Sequence, residues 1–302
     1  MKLTFLGTSA GESYPAIWCD CENCTYAREH GGRNIRMNTG SMIDDDILLD
    51  MNSCGFYTAA RLGVSLTKVK HLIVTHPHDD HLTTAPLAWR RANPGVTDVE
   101  GEAKYKLFSP RFTKIPMLTV YGNLHTRRLL VEEHPELFRP EMCAQFRDIR
   151  EGERVDAGDG LSFIPVAAIH GGDGKGISYV ETGSWNFAHS YIIERGGKRL
   201  LYALDTGGFE PEMMDLILSY NYDAVVMEGT FGLNATPQTG HMNTEKNIAF
   251  RAQLLEKGCI KEDTPFFLTH MAPHWTPPYD IYAPMMAEKG FIVAYDGLTY
   301  EI

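Results

Sequence analysis

The most informative stretch of the sequence reads His71-Leu72-Ile73-Val74-Thr75-His76-Pro77-His78-Asp79-Asp80-His81. Its apolar beginning predicts a β-strand, and three histidines and two aspartates follow within six positions. His76 and His78 are two residues apart, so an extended turn can direct both toward one ion, while Asp80 and His81 can serve a second ion. The density of these ligand types favours a two-metal site over a merely polar loop.

Three later residues follow apolar runs in the same way. They are His170, Asp205 and His270, after the runs 162–169, 200–204 and 265–269. In α/β folds, functional residues gather where strands end and loops converge. Each of the three could be a turn or capping residue by itself. Together with the first cluster they are better interpreted as metal ligands.

Short β-rich runs recur along the whole chain, with helical patterns between them. The predicted strands are 3–6, 46–50, 71–75, 117–121, 162–168, 191–194, 200–204, 224–227, 266–269, 292–294 and 299–302. Helices are predicted near 210–219, near 279–288 and after Asn243 as N-cap, the last with Ile248, Ala252 and Leu255 as its apolar face. This pattern indicates sheets covered by helices, hence an α/β layered fold. Because the candidate ligands run from 76 to 270, we expect one domain over residues 1–302.

The spacing of the first cluster resembles the H-x-H-x-D-H signature of the metallo-β-lactamase superfamily. The three later residues occur in that superfamily's order, and the likeness extends to Leu6-Gly7-Thr8 and to Asp50 at the end of an early strand. The resemblance implies a four-layer αββα sandwich with two metal ions at one edge, between the sheets. It therefore implies a binuclear metal-dependent enzyme.

The resemblance also implies a ligand set. One ion is assigned to His76, His78 and His170, and the other to Asp80, His81 and His270, with Asp205 bridging the two. His189 is the alternative to His170, because it follows a glycine-rich stretch and precedes another strand. The run that ends at His170 resembles the family's strand-then-ligand pattern better. His189 is then interpreted as a residue that lines the pocket or serves a structural role.

A second group of ligand types is Cys19-Asp20-Cys21-Glu22-Asn23-Cys24. Three thiols within six residues allow a tight turn to direct them at one tetrahedral ion, which predicts a structural zinc site formed by Cys19, Cys21 and Cys24. His274, four residues after His270, is the expected fourth ligand, and His30 is the alternative. Free reduced thiols on a loop are the less favoured interpretation, because exposed thiols oxidise.

The cysteine group resembles that of two particular families within the superfamily. It is similar to the phosphoribosyl cyclic phosphodiesterases, the PhnP-like group, which combine a C-x-C-x-x-C zinc site with the two-metal site. The pyrroloquinoline quinone biosynthesis protein B family carries the same cysteine pattern and an ending that resembles 290–297 here. That family lacks the intact H-x-H-x-D-H run, so the run favours the phosphodiesterases.

His241 precedes a predicted helix and matches a histidine that lies near the scissile phosphate in the phosphodiesterase family. The resemblance implies that it donates a proton to the leaving oxygen, although a surface histidine beside a helix is the simpler alternative. We expect Asp80 and His241 to be the catalytic residues. Two loop-like regions, 92–116 and 171–185, look long for the family and are expected to carry substrate contacts.

The composition limits the partners of the chain. Its formal net charge of −11 argues against long nucleic acid, which normally requires a basic surface. The first residues reach Gly7 too early for a typical signal peptide, and the sequence has no apolar run of about 20 residues, so we expect a cytoplasmic location without membrane association. A homodimer is compatible with the sequence.

The expected cofactors are two divalent ions, zinc or manganese, in the active site and one structural zinc. The expected activity is hydrolysis of a small phosphodiester, such as a cyclic one, by hydroxide that the two ions share. Other hydrolases of the same fold, a lactonase or a tRNA 3′-end nuclease, are the alternatives. A non-hydrolytic protein related to pyrroloquinoline quinone biosynthesis protein B is another, because one fold can support many chemistries.

Overall fold

Two stacked sheets of seven strands each form the centre of the molecule. The structure, a computed structural model, describes residues 1–90, 115–170, 188–235 and 240–302. Both long loops predicted to contact substrate, 92–116 and 171–185, lie almost entirely outside these described residues. With helices on the outer faces of the sheets, the architecture is the αββα sandwich, and the predicted fold class is confirmed.

The strands are numbered in chain order. They are β1 (Lys2–Gly7), β2 (Gly40–Ile43), β3 (Ile47–Leu49), β4 (His71–Ile73), β5 (Leu118–Gly122), β6 (Ala144–Asp148), β7 (Val155–Gly158), β8 (Leu161–Ala168), β9 (Ala188–Arg195), β10 (Lys198–Ala203), β11 (Ala224–Glu228), β12 (Phe266–Thr269), β13 (Ile292–Val293) and β14 (Thr299–Glu301). The first sheet has the order β14-β1-β2-β3-β4-β5-β6, and the second has the order β13-β12-β11-β10-β9-β8-β7.

The helices are likewise numbered in chain order. They are α1 (Glu22–His30), α2 (Gly55–Arg61), α3 (Ala85–Ala88), α4 (Leu124–Arg127), α5 (Pro211–Leu218), α6 (Thr244–Glu256) and α7 (Tyr279–Ala287). A π-helical segment (Arg128–Glu133) and 3₁₀ turns at Gly32–Asn34, Pro135–Phe138 and Pro140–Met142 complete the described regular structure. None of the described helices is long and apolar enough to cross a membrane.

Three hydrophobic cores separate the four layers. The central core lies between the sheets and includes Phe5 and Phe267, whose ring centroids are 5.3 Å apart. A second core lies between the second sheet and helices α5 to α7, and a third covers the outer face of the first sheet. Strand β10 shows how the layers form: Leu200 joins the central core and Leu201 the outer one, because successive side chains of a strand point to opposite faces.

The parallel strands create one functional edge. Strands β3 to β6 run parallel in the first sheet, and β10 to β13 run parallel in the second. The carboxyl ends of parallel strands meet at the same edge, so the loops after them converge there. This topology brings together residues that are far apart in sequence.

The sequence interpretation was wrong about the buried face of one helix and about several strands. On α6 the predicted apolar face includes Ile248, which is 40% exposed, while Phe250 and Leu254 are buried against the second sheet. Two sets of apolar residues in this segment fit the 3.6-residue helical period. Packing against the second sheet buries the set that contains Phe250 and Leu254. The predicted N-cap is confirmed, because the Asn243 side chain accepts a hydrogen bond from the Lys246 backbone N–H. Strands β2, β6 and β7 were not predicted either.

Candidate metal centre

Each predicted ligand of the two-metal site lies just beyond the carboxyl end of a strand. His76 follows β4, Asp205 follows β10 and His270 follows β12. Asp205 and His270 have left-handed backbone conformations, with φ values of 44° and 60°. Non-glycine residues rarely adopt this conformation, so the surrounding hydrogen bonds must hold it, as is common at functional sites.

The first ligand group consists of His76, His78, His170 and Asp205, whose ligand atoms lie within 4.8 Å of one another. The Asp205 Oδ2 atom is 3.3 Å from His76 Nε2 and 3.4 Å from His170 Nε2. The His78 Nδ1 atom is 2.9 Å from His76 Nε2 and 3.3 Å from His170 Nε2. The residues assigned to the first ion therefore form one compact group.

The second ligand group consists of Asp80, His81, Asp205 and His270. The Asp80 Oδ2 atom is 3.4 Å from both His81 Nε2 and His270 Nε2. The second oxygen of Asp205, Oδ1, is 2.9 Å from His270 Nε2. Asp205 thus belongs to both groups: its Oδ1 faces His270, and its Oδ2, which faces the first group, is also 3.4 Å from His81 Nε2. A carboxylate shared in this way can bridge two ions.

The donor set fits divalent ions. In a tetrahedral site with bonds of about 2.0–2.1 Å, neighbouring ligand atoms are about 3.3 Å apart. The separations above are close to this value, and imidazole and carboxylate ligands suit zinc or manganese. Burial and the charge of His81 lower the pKa of His76 well below its ordinary value, so its imidazole is neutral, the form that binds metal.

The carboxylates and two of the histidines in the cluster stabilise each other's charge, since the effect of burial on the pKa values of His81 and His270 is outweighed and these values are raised by their carboxylate neighbours. Burial alone would raise the pKa of Asp205, but the surrounding histidines, His270 foremost, hold it well below its ordinary value. Asp205 therefore stays ionised although its side chain is only 3% exposed. A buried carboxylate surrounded by imidazoles is the charge distribution that a pair of cations requires.

Residues outside the two ligand groups form hydrogen bonds with the ligands and orient them. The Nδ1 atom of His81 donates to Asp50 Oδ2 at 2.8 Å, and Asp50 also accepts hydrogen bonds from the backbone N–H and hydroxyl of Thr75. The Thr230 hydroxyl is 2.8 Å from His270 Nδ1. Such contacts select the tautomer that leaves Nε2 free for a metal ion.

Glu228 is a candidate functional residue that the sequence interpretation missed. It is fully buried at the end of β11, and its Oε1 accepts a 2.7 Å hydrogen bond from His241 Nδ1. Burial alone would lower the pKa of His241, but the charge and hydrogen bond of Glu228 outweigh it, so the pKa is raised. The strand-end rule that located Asp205 and His270 could have located Glu228 as well, since it directly follows Ala224-Val225-Val226-Met227.

The two alternatives for one ligand position have different surroundings. The His170 Nδ1 atom donates to the backbone carbonyl of Gly240 at 3.2 Å, which directs Nε2 to Asp205. His189 is fully buried, and its Nε2 is 3.8 Å from Glu151 Oε2. Among the described residues, the structure therefore places His170, and not His189, in the cluster formed by the two ligand groups, which we call the metal cluster.

The cysteine group is also assembled. The three Sγ atoms of Cys19, Cys21 and Cys24 lie within 4.8 Å of one another. Only part of the group forms a turn, since helix α1 begins at Glu22 with Cys21 as its N-cap. Burial alone would raise the pKa of Cys21, but the backbone N–H of Cys24 and the neighbouring thiols lower it to about 7. A helix N-terminus favours a thiolate in the same way.

The expected fourth ligand of the cysteine group lies next to it. The Nδ1 atom of His274 is 3.7 Å from Cys19 Sγ, close to the separation of about 3.6 Å for sulfur and nitrogen ligands of one tetrahedral zinc. Its Nε2 donates to Glu12 Oε2 at 2.7 Å, which leaves Nδ1 free. His30 instead stacks on Tyr26 and hydrogen-bonds to the carbonyl of that residue. The geometry thus favours His274.

A further group with metal-binding residue types has a different character. Asp46, His71 and Asp159 lie within 4.8 Å of one another at the opposite ends of the strands. Arg195 Nη2 is 3.1 Å from Asp46 Oδ2, and Lys70 Nζ is 2.5 Å from Asp159 Oδ2. Both carboxylates are already neutralised by basic side chains, so we interpret this group as an ion-pair network.

Comparison with known proteins identifies related sequences and folds. A family model described as the beta-lactamase superfamily domain matches residues 55–260. No curated protein sequence matches the chain. The family match includes the H-x-H-x-D-H run, His170, Asp205 and His241 and ends before His270.

Solved structures share the fold over their whole length. A new diphosphatase from the PhnP family has a TM-score of 0.69 and 19% identity, with 100% of this chain and 96% of that chain covered. Zn²⁺-bound PqqB from Methylobacterium extorquens has a TM-score of 0.70 and 19% identity, with 100% of both chains covered. The short form of human tRNase Z has a TM-score of 0.61 and 14% identity, with 100% of this chain and 99% of that chain covered. At these identities the comparison shows the fold.

Proposed function

The chain belongs to the metallo-β-lactamase superfamily, and from this premise we propose that it is a binuclear metal-dependent phosphodiesterase that acts on a small phosphodiester. The observation that carries the proposal is the Glu228–His241 pair beside the metal cluster. The His241 ring lies 4.9 Å from that of His170 and 5.9 Å from that of His270, between centroids. A protonated imidazole there can reach the leaving oxygen of a phosphoryl group held by the cluster.

Different residues of the chain have different roles in the proposed reaction. When bound, the two divalent ions supply Lewis acidity toward the phosphoryl oxygens and lower the pKa of water. Asp205 belongs to both ligand groups and would hold the two halves of the site together. His241 donates its Nε2 proton to the departing alkoxide, because its Nδ1 is held by Glu228. Glu228 thereby selects the tautomer and stabilises the charged imidazole.

The need for a general acid distinguishes the candidate substrates. An alkoxide is a poor leaving group and requires protonation, whereas a nitrophenolate leaves without it. The net charge of −11 disfavours long nucleic acid, so a small substrate is the better fit. A five-membered cyclic phosphate on a ribose-like sugar satisfies both conditions, and we propose it as the preferred substrate.

A hydrolysis screen tests the proposal directly. Metal-loaded protein is assayed against a cyclic ribose phosphate, an acyclic phosphodiester, a diphosphate ester, a lactone and a β-lactam. We expect turnover of the phosphodiesters, with the cyclic phosphate cleaved most efficiently. Ready cleavage of the lactone or β-lactam without cleavage of any phosphodiester would show that the assignment is wrong.

The role of His241 has its own test. His241→Ala should lower turnover of an alkyl phosphodiester by ~10²–10⁴-fold and that of a nitrophenyl phosphodiester much less, since nitrophenolate leaves without a proton. Equal losses on both substrates would remove the general-acid role and leave the phosphodiesterase assignment open to the screen. Metal content is measured in parallel, because His241 is close to two ligands.

A further inference from the structure

A row of aromatic side chains begins at the proposed general acid and ends at an exposed tryptophan. The Phe231 ring contacts His241 edge-on, with 5.2 Å between the centroids, and contacts Trp275 in the same manner at 6.4 Å. Trp275 is 44% exposed and the neighbouring Leu233 is 46% exposed. We call His241, Phe231 and Trp275 the aromatic row. The hydrolytic chemistry described above uses only its first member.

The backbone holds the row rigidly. Gly232 has a φ of 39°, and a Cβ at this position would lie 2.4 Å from the Trp275 carbonyl oxygen, so only glycine allows this close approach. The Leu233 N–H donates to the same Trp275 carbonyl at 2.9 Å, and the Phe231 N–H donates to the Met242 carbonyl at 3.0 Å. The aromatic surface is therefore preorganised and costs little entropy to use in binding.

The position of the row relates it to one side of the substrate. A general acid must lie beside the oxygen that departs, so the group attached to that oxygen extends past His241. Phe231 and Trp275 are the next rings in that direction. Within the described part of the chain, no arginine or lysine is stacked on either ring, so their aromatic faces are not taken up by a cation. A neutral planar ring is the group that such a surface recognises.

We propose that the aromatic row is the subsite for the leaving group and that the substrate carries a planar ring there, either an aryl group or a nucleobase. This inference rests on the proposed phosphodiesterase function and names the substrate class more closely. Stacking on Trp275 would supply ring specificity, while the metal cluster holds the phosphoryl group. Trp275 is a specificity-determining residue and does not take part in the chemistry.

Alkyl methylphosphonates are suitable probes, because each has a single ester oxygen and mimics the charge of a phosphodiester. The benzyl and cyclohexylmethyl esters differ only in planarity, and the adenosine 5′- and ribose 5-esters differ only in the base. Dissociation constants for the metal-loaded protein are measured by calorimetry. The variants are Trp275→Leu and, as matched control, Trp89→Leu, since Trp89 is another exposed tryptophan (65%) and contacts Phe56 away from the site.

We expect Trp275→Leu to raise the dissociation constant of the planar-ring esters by about 5- to 10-fold and to change those of the saturated partners less than about twofold. If only the tighter binding of the benzyl ester over the cyclohexylmethyl ester depends on Trp275, the substrate carries an aryl group. If the tighter binding of the adenosine ester over the ribose ester depends on Trp275, the substrate carries a nucleobase. Trp89→Leu should have no effect on any ester.

Equal binding of planar and saturated esters to the unaltered protein, or equal effects of the two tryptophan variants, would overturn the inference. Failure of all four esters to bind would overturn it too. The screen of phosphodiester hydrolysis is read separately: turnover without ring preference overturns only the subsite, whereas ring-dependent binding without phosphodiester turnover overturns only the proposed reaction.

Discussion

Two clusters at opposite ends of strand β4 contain the same residue types and differ in their neutralisation. His71 begins the strand and lies with Asp46 and Asp159, whereas His76 follows its end and lies in the metal cluster. Lys70 and Arg195 neutralise the carboxylates of the first cluster. In the described part of the chain, the ion pairs of Asp80 and Asp205 are all with histidines.

The difference shows what distinguishes a metal site from an ion-pair network. Basic side chains carry fixed positive charge, so carboxylates paired with them gain little from an added cation. Histidines carry charge only while protonated and lose that proton when they bind a metal ion, so the ion can then take over as the partner of the carboxylate. Residue type alone is the same at both ends of the sandwich, and the partners decide the chemistry.

The largest expected contrast is between Asp205→Ala and Asp46→Ala. Loss of the carboxylate shared by both ligand groups should lower turnover by about 10⁴-fold or more, because the two ions supply several kcal/mol of transition-state stabilisation. Asp46→Ala should leave turnover of the folded protein within about twofold of the original, by the additivity expected of distant sites. The measurement is kcat/KM together with metal content by elemental analysis. A comparable loss of activity in Asp46→Ala would show that the two clusters do not differ in function as we infer.

A smaller effect is expected for a residue that hydrogen-bonds to a ligand. Asp50→Asn keeps the size of the side chain that orients His81 but removes its charge. We expect metal affinity to fall by about 10–100-fold, the usual effect of altering a hydrogen-bonded partner of a ligand. Competition with a chromogenic chelator measures this. His71→Ala is the control at the other end of β4, and it should leave metal affinity unchanged. Equal affinities for Asp50→Asn and the unaltered protein would show that Asp50 has no part in ligand orientation.

The cysteine group should affect stability more than catalysis. We expect the intact protein to bind up to three divalent ions, two in the two-metal site and one structural zinc. Cys21→Ala should lose one ion and lower the Tm by ~5 °C or more, since a structural zinc contributes to the free energy of folding. Turnover at low temperature should persist. Unchanged zinc content and Tm would rule out the structural site.

The smallest expected effect is a shift in pH dependence. His241 must be protonated to act as an acid, so activity falls as pH rises through its pKa. Glu228 raises that pKa, and Glu228→Gln should therefore move this basic limb to lower pH. The pH profile of kcat/KM for an alkyl phosphodiester measures the shift, with thermal unfolding as a check on folding. A limb that stays in place would show that another group limits activity at high pH.

Much of the site could be predicted because its signals are local. The spacing of His76, His78, Asp80 and His81 is contained in six residues, and the position of Asp205 after an apolar strand is visible in the sequence. Glu228 was missed although it has the same strand-end position, because the family resemblance that singled out Asp205 did not include it. The buried face of α6 was also misjudged, because Ile248 fits a helical period that packing does not use.

Residue types, the close spacing of ligands and the strand ends at which they lie are visible in the amino-acid sequence. Three other features depend on the folded chain: His170 and not His189 joins the cluster, Glu228 pairs with His241, and Lys70 and Arg195 neutralise the group around His71. The physical reason is that local spacing follows from the geometry of one strand or turn. Partners distant in the chain are set by sheet order and register, which depend on how all the strands pack together.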